Sequence, residues 1–488
     1  MARRARLSPA RDEQTHWAWH TPKFLAVPAS ALWSGERRME AENYLATGYG
    51  QKLALQALLG DRKKTLSNFA KVWQPSRLKG IQVSSDFGTP FLAATQVFDL
   101  IPISRKFLSL DKTENSSGRF IETGTIVVTC SGSVGRATLV TSALEKTLVS
   151  HDLLRVEPKD PELWGWTYAF LRSKFARAMM SSSQYGHIIK HLEPSHLEIL
   201  PAPLPSREIA ERMQEMSARI LADRNKATSL MSAAMDLYAN VIGSPDKHGR
   251  GDITFSVSAR SLMSGRRRFE GIYHNPTVRT LQNHFKRSGF STCSLSDAGY
   301  DLWLPTRFKR IPAVEGVELI GSANLFEINP DLEKRIADGN FGDRHSGRVK
   351  RGWLLLARSG QTYGLNGTLV IANEFHENKV VSDHVIRIAP KAECKVRPGY
   401  MYVALSHPEL GRPMVKALAY GSSIPEIDVA DIANLQIPRL DGDIESKIAQ
   451  MAESAAALFA DADLTENKMA AEVDQLLENF LAGNSSGF

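Results

Sequence analysis

Two stretches 228 residues apart decide the fold: GTIVVTCSGSVGRATLV from Gly124, closing on SHDLLRVEP from Ser150, and GWLLLARSGQTYGLNGTLV from Gly352, closing on SDHVIRIAP from Ser382. Each enters a short apolar run through a glycine, Ile126-Val127-Val128 in one and Leu354-Leu355-Leu356 in the other, and leaves it through a Ser-Gly turn. Leu153 to Val156 and Val385 to Ile388 read as further strands, stopped near Pro158 and Pro390.

The correspondence continues outward on both sides. Upstream, GTPFLAATQVF from Gly88 aligns without a gap on GVELIGSANLF from Gly316, and Trp73, Pro75, Arg77 and Lys79 match Trp303, Pro305, Arg307 and Lys309. Further upstream, Val27 to Glu40 matches Val257 to Glu270; in between, Ser117-Gly118-Arg119 matches Ser346-Gly347-Arg348. Downstream, YGHIIKHLEPSHLEILPAPLP from Tyr185 corresponds to YGSSIPEIDVADIANLQIPRL from Tyr420. So many matches in one order define an internal duplication. Helical spacing of apolar residues over Leu163 to Met180 and Tyr400 to Ala417 makes each copy an α+β domain.

Each copy then ends in a long helix. After the proposed N-cap Ser206, Ile209, Met213, Met216, Ile220, Ala227, Leu230, Ala234, Leu237 and Val241 fall at alternating three- and four-residue steps, interrupted at Asp223 and stopped by Gly243-Ser244-Pro245. After Pro438 the pattern returns at Ile444, Ile448, Met451, Ala455, Leu458, Ala462, Met469 and Leu476. The fold class expected is α+β, with tandem duplicated globular domains at 1–205 and 244–439 and helices at 206–243 and 440–488 packed as an antiparallel coiled coil. The competing arrangement has each helix packed only on its own domain.

Composition bounds the function. Of 488 residues, 43% are hydrophobic and 23% charged, enough for ordinary globular cores. No apolar run reaches the ~18–20 residues of a membrane span and no secretory signal is read, while Cys130, Cys293 and Cys394 lie far apart; these point to a reducing cytoplasm. Net charge is +7, but the residues from Asp441 onward carry ten acids and two lysines, which leaves +15 on residues 1–440. A basic body suits a polyanionic partner, and a solubilising imbalance is the plain alternative.

Candidate contacts to a polyanionic partner follow from basic and aromatic residues at turns. Arg77 and Lys79, with Arg307, Lys309 and Arg310, follow a Trp-x-Pro turn in both copies, as a phosphate clamp would. Arg136 and Arg358 flank the Ser-Gly turns; His187 and Lys190 sit beside Tyr185 in a glycine turn; Tyr363, Tyr420 and Arg348, in the dense basic stretch with Arg344, His345, Lys350 and Arg351, complete the set. Solvated surface charge competes with this reading at each cation. SGSVG and SGQTYG lack the Gly-Lys-Ser/Thr of a phosphate loop. Ser150-His151-Asp152, read as strand neighbours on opposite faces, make no triad, and His187, Lys190, His191 and His196 lack the carboxylate or thiolate partners of a metal site.

Globular unit, long helix, globular unit, long helix resembles the specificity subunits of type I restriction-modification systems. The stretch Arg37-Arg38-Met39-Glu40-Ala41-Glu42-Asn43-Tyr44, the Gly-hydrophobic-Ser-Gly turn, Ser150-His151-Asp152 and the Tyr-Gly-x-x-Ile block carry the resemblance. Ser382-Asp383-His384, in inverted order, and the acidic second helix depart from it. The resemblance implies two target recognition domains, each reading half of a bipartite, asymmetric DNA site, with the helices as a ruler for the unread spacer. It also implies two methyltransferase subunits as partners, with restriction and translocase subunits beside them. S-adenosylmethionine and ATP would bind those partners, and this chain would bind no cofactor and catalyse nothing. With no Asn/Asp-Pro-Pro-Tyr/Phe or Walker sequence present, the alternatives are a fused or degenerate DNA-modifying enzyme or a duplicated nucleic-acid or protein interaction module.

Overall fold

The computed structural model describes Ala29 and residues 40–60, 64–77, 79–113, 116–186, 190–245, 254–263, 267–332, 334–339, 347–484 and 486–488. Its described chain forms two compact units, one from residues up to 98 with 102–221 and 465–488, the other from 99–101 and 222–464.

The first unit is built on a four-stranded antiparallel sheet. Its strands are β1 (Ala70–Trp73), β5 (Ile126–Thr129), β6 (Ala137–Leu139) and β8 (Leu153–Pro158), in the order β1-β8-β5-β6. Every residue of β5 is buried, as expected of an inner strand covered on both faces. A second sheet takes β2 (Gln82–Val83), β3 (Thr89–Leu92), β4 (Lys106–Leu108) and β7 (Leu148–Val149), in which β3 and β7 run parallel with Phe91 opposite Leu148. Helices α1 (Trp164–Arg172) and α2 (Lys174–Ser183) follow.

The second unit repeats this plan. After β9 (Thr292–Ser294), strands β10 (Tyr300–Trp303), β13 (Leu354–Ala357), β14 (Leu369–Ile371) and β16 (Val385–Pro390) form an antiparallel sheet in the order β10-β16-β13-β14. Strands β11 (Pro312–Ile320), β12 (Arg335–Ile336) and β15 (Val380–Val381) form the second sheet, again with a parallel pair, Leu319 opposite Val380. Strand β17 (Gln436–Pro438) pairs with β9. The tandem α+β duplication is thus present as matching strand order and direction.

The two helical stretches read from sequence are each broken in two. In the first unit Ser173 is extended and its Oγ accepts from the Ala176 N–H, so it ends α1 and caps α2. In the second, α4 (Pro398–Ser406) stops before His407-Pro408, and α5 (Arg412–Ala417) restarts after Gly411.

The long helices are α3 (Arg207–Ile242) and α6 (Gly442–Leu481), and each contributes one part to each unit. Within the first unit they run antiparallel: Arg212 pairs with Glu472 at 2.5 Å, and one turn on Ser217 Oγ meets Met469 Sδ at 3.4 Å. Within the second, Arg224 pairs with Asp463 at 2.9 Å, both buried. The seam keeps every seventh residue expected from the sequence, Met213, Ile220, Ala227 and Ala234, but its alternate members are Ser217, Arg224, Met231 and Tyr238. Likewise α6 buries Ala452, Phe459 and Leu477 where the apolar pattern selected Met451, Leu458 and Leu476, and it buries Glu466 and Val473 as well. The apolar neighbours one residue back are half-buried, so polar residues hold places that hydrophobicity alone assigns elsewhere.

A glycine in each unit sets how closely its own helix approaches. A Cβ at Gly165 of α1 would overlap the α3 backbone at Gln214, and one at Gly399 of α4 would overlap Ala449 of α6. Nearby, Trp166 Nε1 donates to the Pro203 carbonyl at 3.2 Å and the Tyr400 hydroxyl to the Pro438 carbonyl at 2.7 Å, tying each helix–sheet layer to the segment leading into the long helix. Glycine to alanine inside a helix ordinarily stabilises by about 1 kcal/mol. Here the sign should reverse, with Gly165→Ala and Gly399→Ala each costing about 1–3 kcal/mol through overpacking, read as a lowered urea midpoint.

Candidate nucleic-acid interface

In the first unit the registers Trp73 opposite Arg155, Thr129 opposite Leu153 and Val128 opposite Ala137 put four chain exits at one end of the main sheet. The loops that leave there are stitched together. Gln74 Nε2 donates to the His151 carbonyl at 2.7 Å, Cys130 N–H to Asp152, Gly132 N–H to Lys190 and Leu192 N–H to Cys130. Ser131 Oγ lies 2.8 Å from His191 Nδ1, and Tyr185 and His191 exchange both backbone hydrogen bonds around Gly186, whose φ of 98° favours glycine.

The second unit builds the same end. Trp303 stands opposite Arg387, Ala357 opposite Val385 and Leu356 opposite Leu369. Ser359 Oγ donates to Glu426 Oε1 at 3.2 Å, Asn366 Nδ2 to the carbonyls of Arg358 and Pro425, and Gln361 Nε2 to Ser423. Tyr420 and Glu426 exchange both backbone bonds around Gly421, φ 97°. Ser-Gly turn and Tyr-Gly hairpin therefore meet through the same pair of positions in both copies.

The candidate cations separate into two groups. Arg77, Lys79, Arg307 and Lys309 are exposed and have no ion pair among the described residues. Arg310 is held by Asp383 and by Ser382 Oγ at 3.3 Å, Arg348 by Asp338 at 2.7 Å, and Arg358 by Glu426 at 2.5 Å. Lys190 is half-buried and engaged. Arg136 is a correction: it is buried, its guanidinium 4.0 Å from the Phe98 ring centroid, and therefore cannot face a duplex. It stands near Glu466, whose carboxyl burial raises well above its usual range while the Arg136 charge opposes that shift. Among the aromatics, Tyr363 is 74% exposed on its turn. Tyr185 is tied to Glu193 at 2.8 Å, and Tyr420 lies against Arg268. His187 lies outside the described residues, as do Arg37 to Met39, Arg344 and His345.

Three arginines organise these loops without having been singled out for it. Arg387, buried in β16, donates to the carbonyls of Gly347, Val381, Ser382 and Val385, and burial pulls its pKa down to about 9. Its counterpart Arg155 is brought to about 10, by burial first and then by the Arg119 charge. An arginine in the middle of an apolar strand, repeated in both copies, was the available signal. Arg268 donates to Glu270 at 2.9 Å, Asp431 at 3.1 Å and the carbonyls of Leu418 and Ala419, with Tyr273 and Tyr420 on its faces. It fixes the base of the Tyr420 hairpin.

Ser150, His151 and Asp152 lie in a turn between β7 and β8, so the opposite-face argument does not apply to them. Ser150 Oγ donates to Asp152 Oδ2 at 3.0 Å and His151 Nε2 is 3.6 Å from Asp152 Oδ1. The carboxylate is central, whereas activating a serine requires histidine between the two. No group of three or more His, Cys, Asp or Glu is placed to hold a metal among the described residues, and none of their helices is long and apolar enough to cross a membrane.

The chain is similar to solved structures of type I restriction-modification specificity subunits. The S subunit from M. genitalium shares 15% identity at a TM-score of 0.28, covering 86% of this chain and 93% of that one. For the HsdS subunit from Thermoanaerobacter tengcongensis the figures are 13%, 0.26, 86% and 96%. A chain from work on complex assembly and conformational transition of the type I R-M system gives 12%, 0.25, 84% and 98%. No protein-family model and no curated protein sequence matches the chain.

Proposed function

We propose that this chain is the DNA-specificity subunit of a type I restriction-modification system. Residues 1–205 and 244–439 each read one half of a bipartite, asymmetric duplex site, and 206–243 and 440–488 serve as spacer helices. The chain directs two methyltransferase subunits to that site, with restriction and translocase subunits joining them in the cytoplasm. S-adenosylmethionine and ATP belong to those partners, and the chemistry is theirs.

One observation carries the reading: the same sheet end occurs twice, each time with two exposed cations at matched positions that have no ion pair among the described residues, Arg77 and Lys79 in one unit and Arg307 and Lys309 in the other. Phosphate contacts supply affinity and register, while sequence is read by loops at base edges. The loops between the matched frames differ, SGSVG against SGQTYG and HIIKH against SSIPE, so the two half-sites differ. Replacing residues 1–205 by the equivalent unit of a relative should change one half of the methylated motif and leave the other intact. A change in both halves would rule out independent readers.

A further inference from the structure

In each unit the segment after these exposed cations forms an arch over a single strand. In the first, Val83 of β2 and Pro90 of β3 both pair with Phe107 of β4, one on each side, so residues 84–88 must cross from one flank to the other. In the second, Pro312 and Val317 of β11 both pair with Ile336 of β12, and the residues between them bulge out. A glycine closes both arches at positions that align in the duplication. A Cβ at Gly88 would lie 2.6 Å from Val83 Cγ2 and 2.7 Å from Phe107 Cβ, and one at Gly316 would overlap the Ile336 carbonyl. The arch is a built feature that the backbone adopts twice.

What each arch lifts into solvent is apolar. Phe87 is 82% exposed and Val314 84%, with Ile81 and Ile311 at the arch feet 57% and 58% exposed. The chain leading into each arch is cationic: Arg77 and Lys79 precede it in the first unit, and Arg307 and Lys309 in the second, all four exposed. An apolar tip on a segment entered through exposed cations is complementary to a nucleic-acid groove, where phosphates flank apolar base faces and thymine methyl groups.

We infer that Phe87 and Val314 are apolar probes that pack against the bases of duplex DNA, one in each half-site, while the neighbouring cations hold the phosphates. This rests on the DNA-reading function proposed above. The probes supply discrimination without hydrogen bonds; the cations supply affinity that does not depend on sequence.

The test uses the chain assembled with its methyltransferase subunits, titrated against a duplex carrying the methylated motif and against a random duplex, between 50 and 200 mM salt. Phe87→Ser and Val314→Ser should each weaken binding to the motif by about tenfold or more, with random-duplex binding and its salt dependence unchanged. Phe87→Leu should retain most of the affinity. Arg77→Gln should weaken both duplexes alike and lower the salt slope by about one. The inference is overturned if both serine variants bind the motif like the parent. It is also overturned if they lose their methyltransferase subunits while the complexes that remain bind DNA normally, which would make the arches protein-docking surfaces. A parent complex without salt-dependent duplex binding would instead remove the DNA-reading function itself. Thermal unfolding of each variant, expected to match the parent for such exposed positions, separates these outcomes from misfolding.

Discussion

Cells that lose this chain are expected to lose adenine methylation at one bipartite motif and to keep it at every other motif. The expectation is all-or-none because specific DNA readers favour their sites by about 10³–10⁷ over random sequence. Methyltransferase subunits deprived of the reader fall to the non-specific level, at which no single motif is modified above background. Genome-wide mapping of methylated adenine with and without the gene decides it, and restoring the gene should restore that motif alone. An unchanged map would sink the proposal. The two halves of the lost motif would also provide the duplex needed to examine Phe87 and Val314.

The second large effect concerns the buried pair in the second unit. Asp463 accepts from Arg224 through Oδ1 at 2.9 Å and from the Asn329 N–H through Oδ2 at 2.9 Å. Asp463→Ala leaves a buried guanidinium without this carboxylate and a buried N–H without its acceptor. Breaking one side of a buried ion pair costs about 3–5 kcal/mol. At a slope near ~2 kcal/mol per molar, the urea midpoint should fall by roughly 1–3 M. The double variant Arg224→Met/Asp463→Leu removes both charges and should recover most of the loss, because the desolvation cost disappears with the pair. If Asp463→Ala left the midpoint where it was, the pair would contribute nothing to the fold.

The sequence disclosed some parts of this architecture more readily than others, and the reason is range. The duplication, the strands at Ile126 and Leu354 and the extent of the long helices come from local pattern and from self-comparison, both visible along one chain. The seam of α3 required more. Met216, Leu230 and Leu237 are better hydrophobes than Ser217, Arg224 and Tyr238, yet the latter are buried, because Asp463, Met469 and the Tyr400 ring meet them there. Those partners lie 160 residues or more away and leave no periodic trace. At the candidate interface, residue type and turn context brought the right segments together but could not separate cations with a carboxylate partner from those without one. Arg358 and Arg77 look alike until Glu426 appears beside the first. Arg136 misled for the same reason, since its ring partner Phe98 precedes it by 38 residues.

The way the first unit is assembled also bears on how a ribosome delivers this protein. Its residues 102–221 and 465–488 are separated in the chain by almost all of the second unit. At about 5–20 residues per second, roughly 12–50 s pass between synthesis of the two pieces. Throughout that wait the half of α3 in the first unit lacks Met469, Glu472 and Val473, and the α2 N-terminus lacks Asp474, whose carboxylate accepts from the Lys174 N–H at 2.8 Å. Although translated first, this unit is therefore completed last, and the second unit, contiguous apart from residues 99–101, can close ahead of it. A released chain ending at residue 464 should hold a protease-resistant second unit and a first unit still open to cleavage.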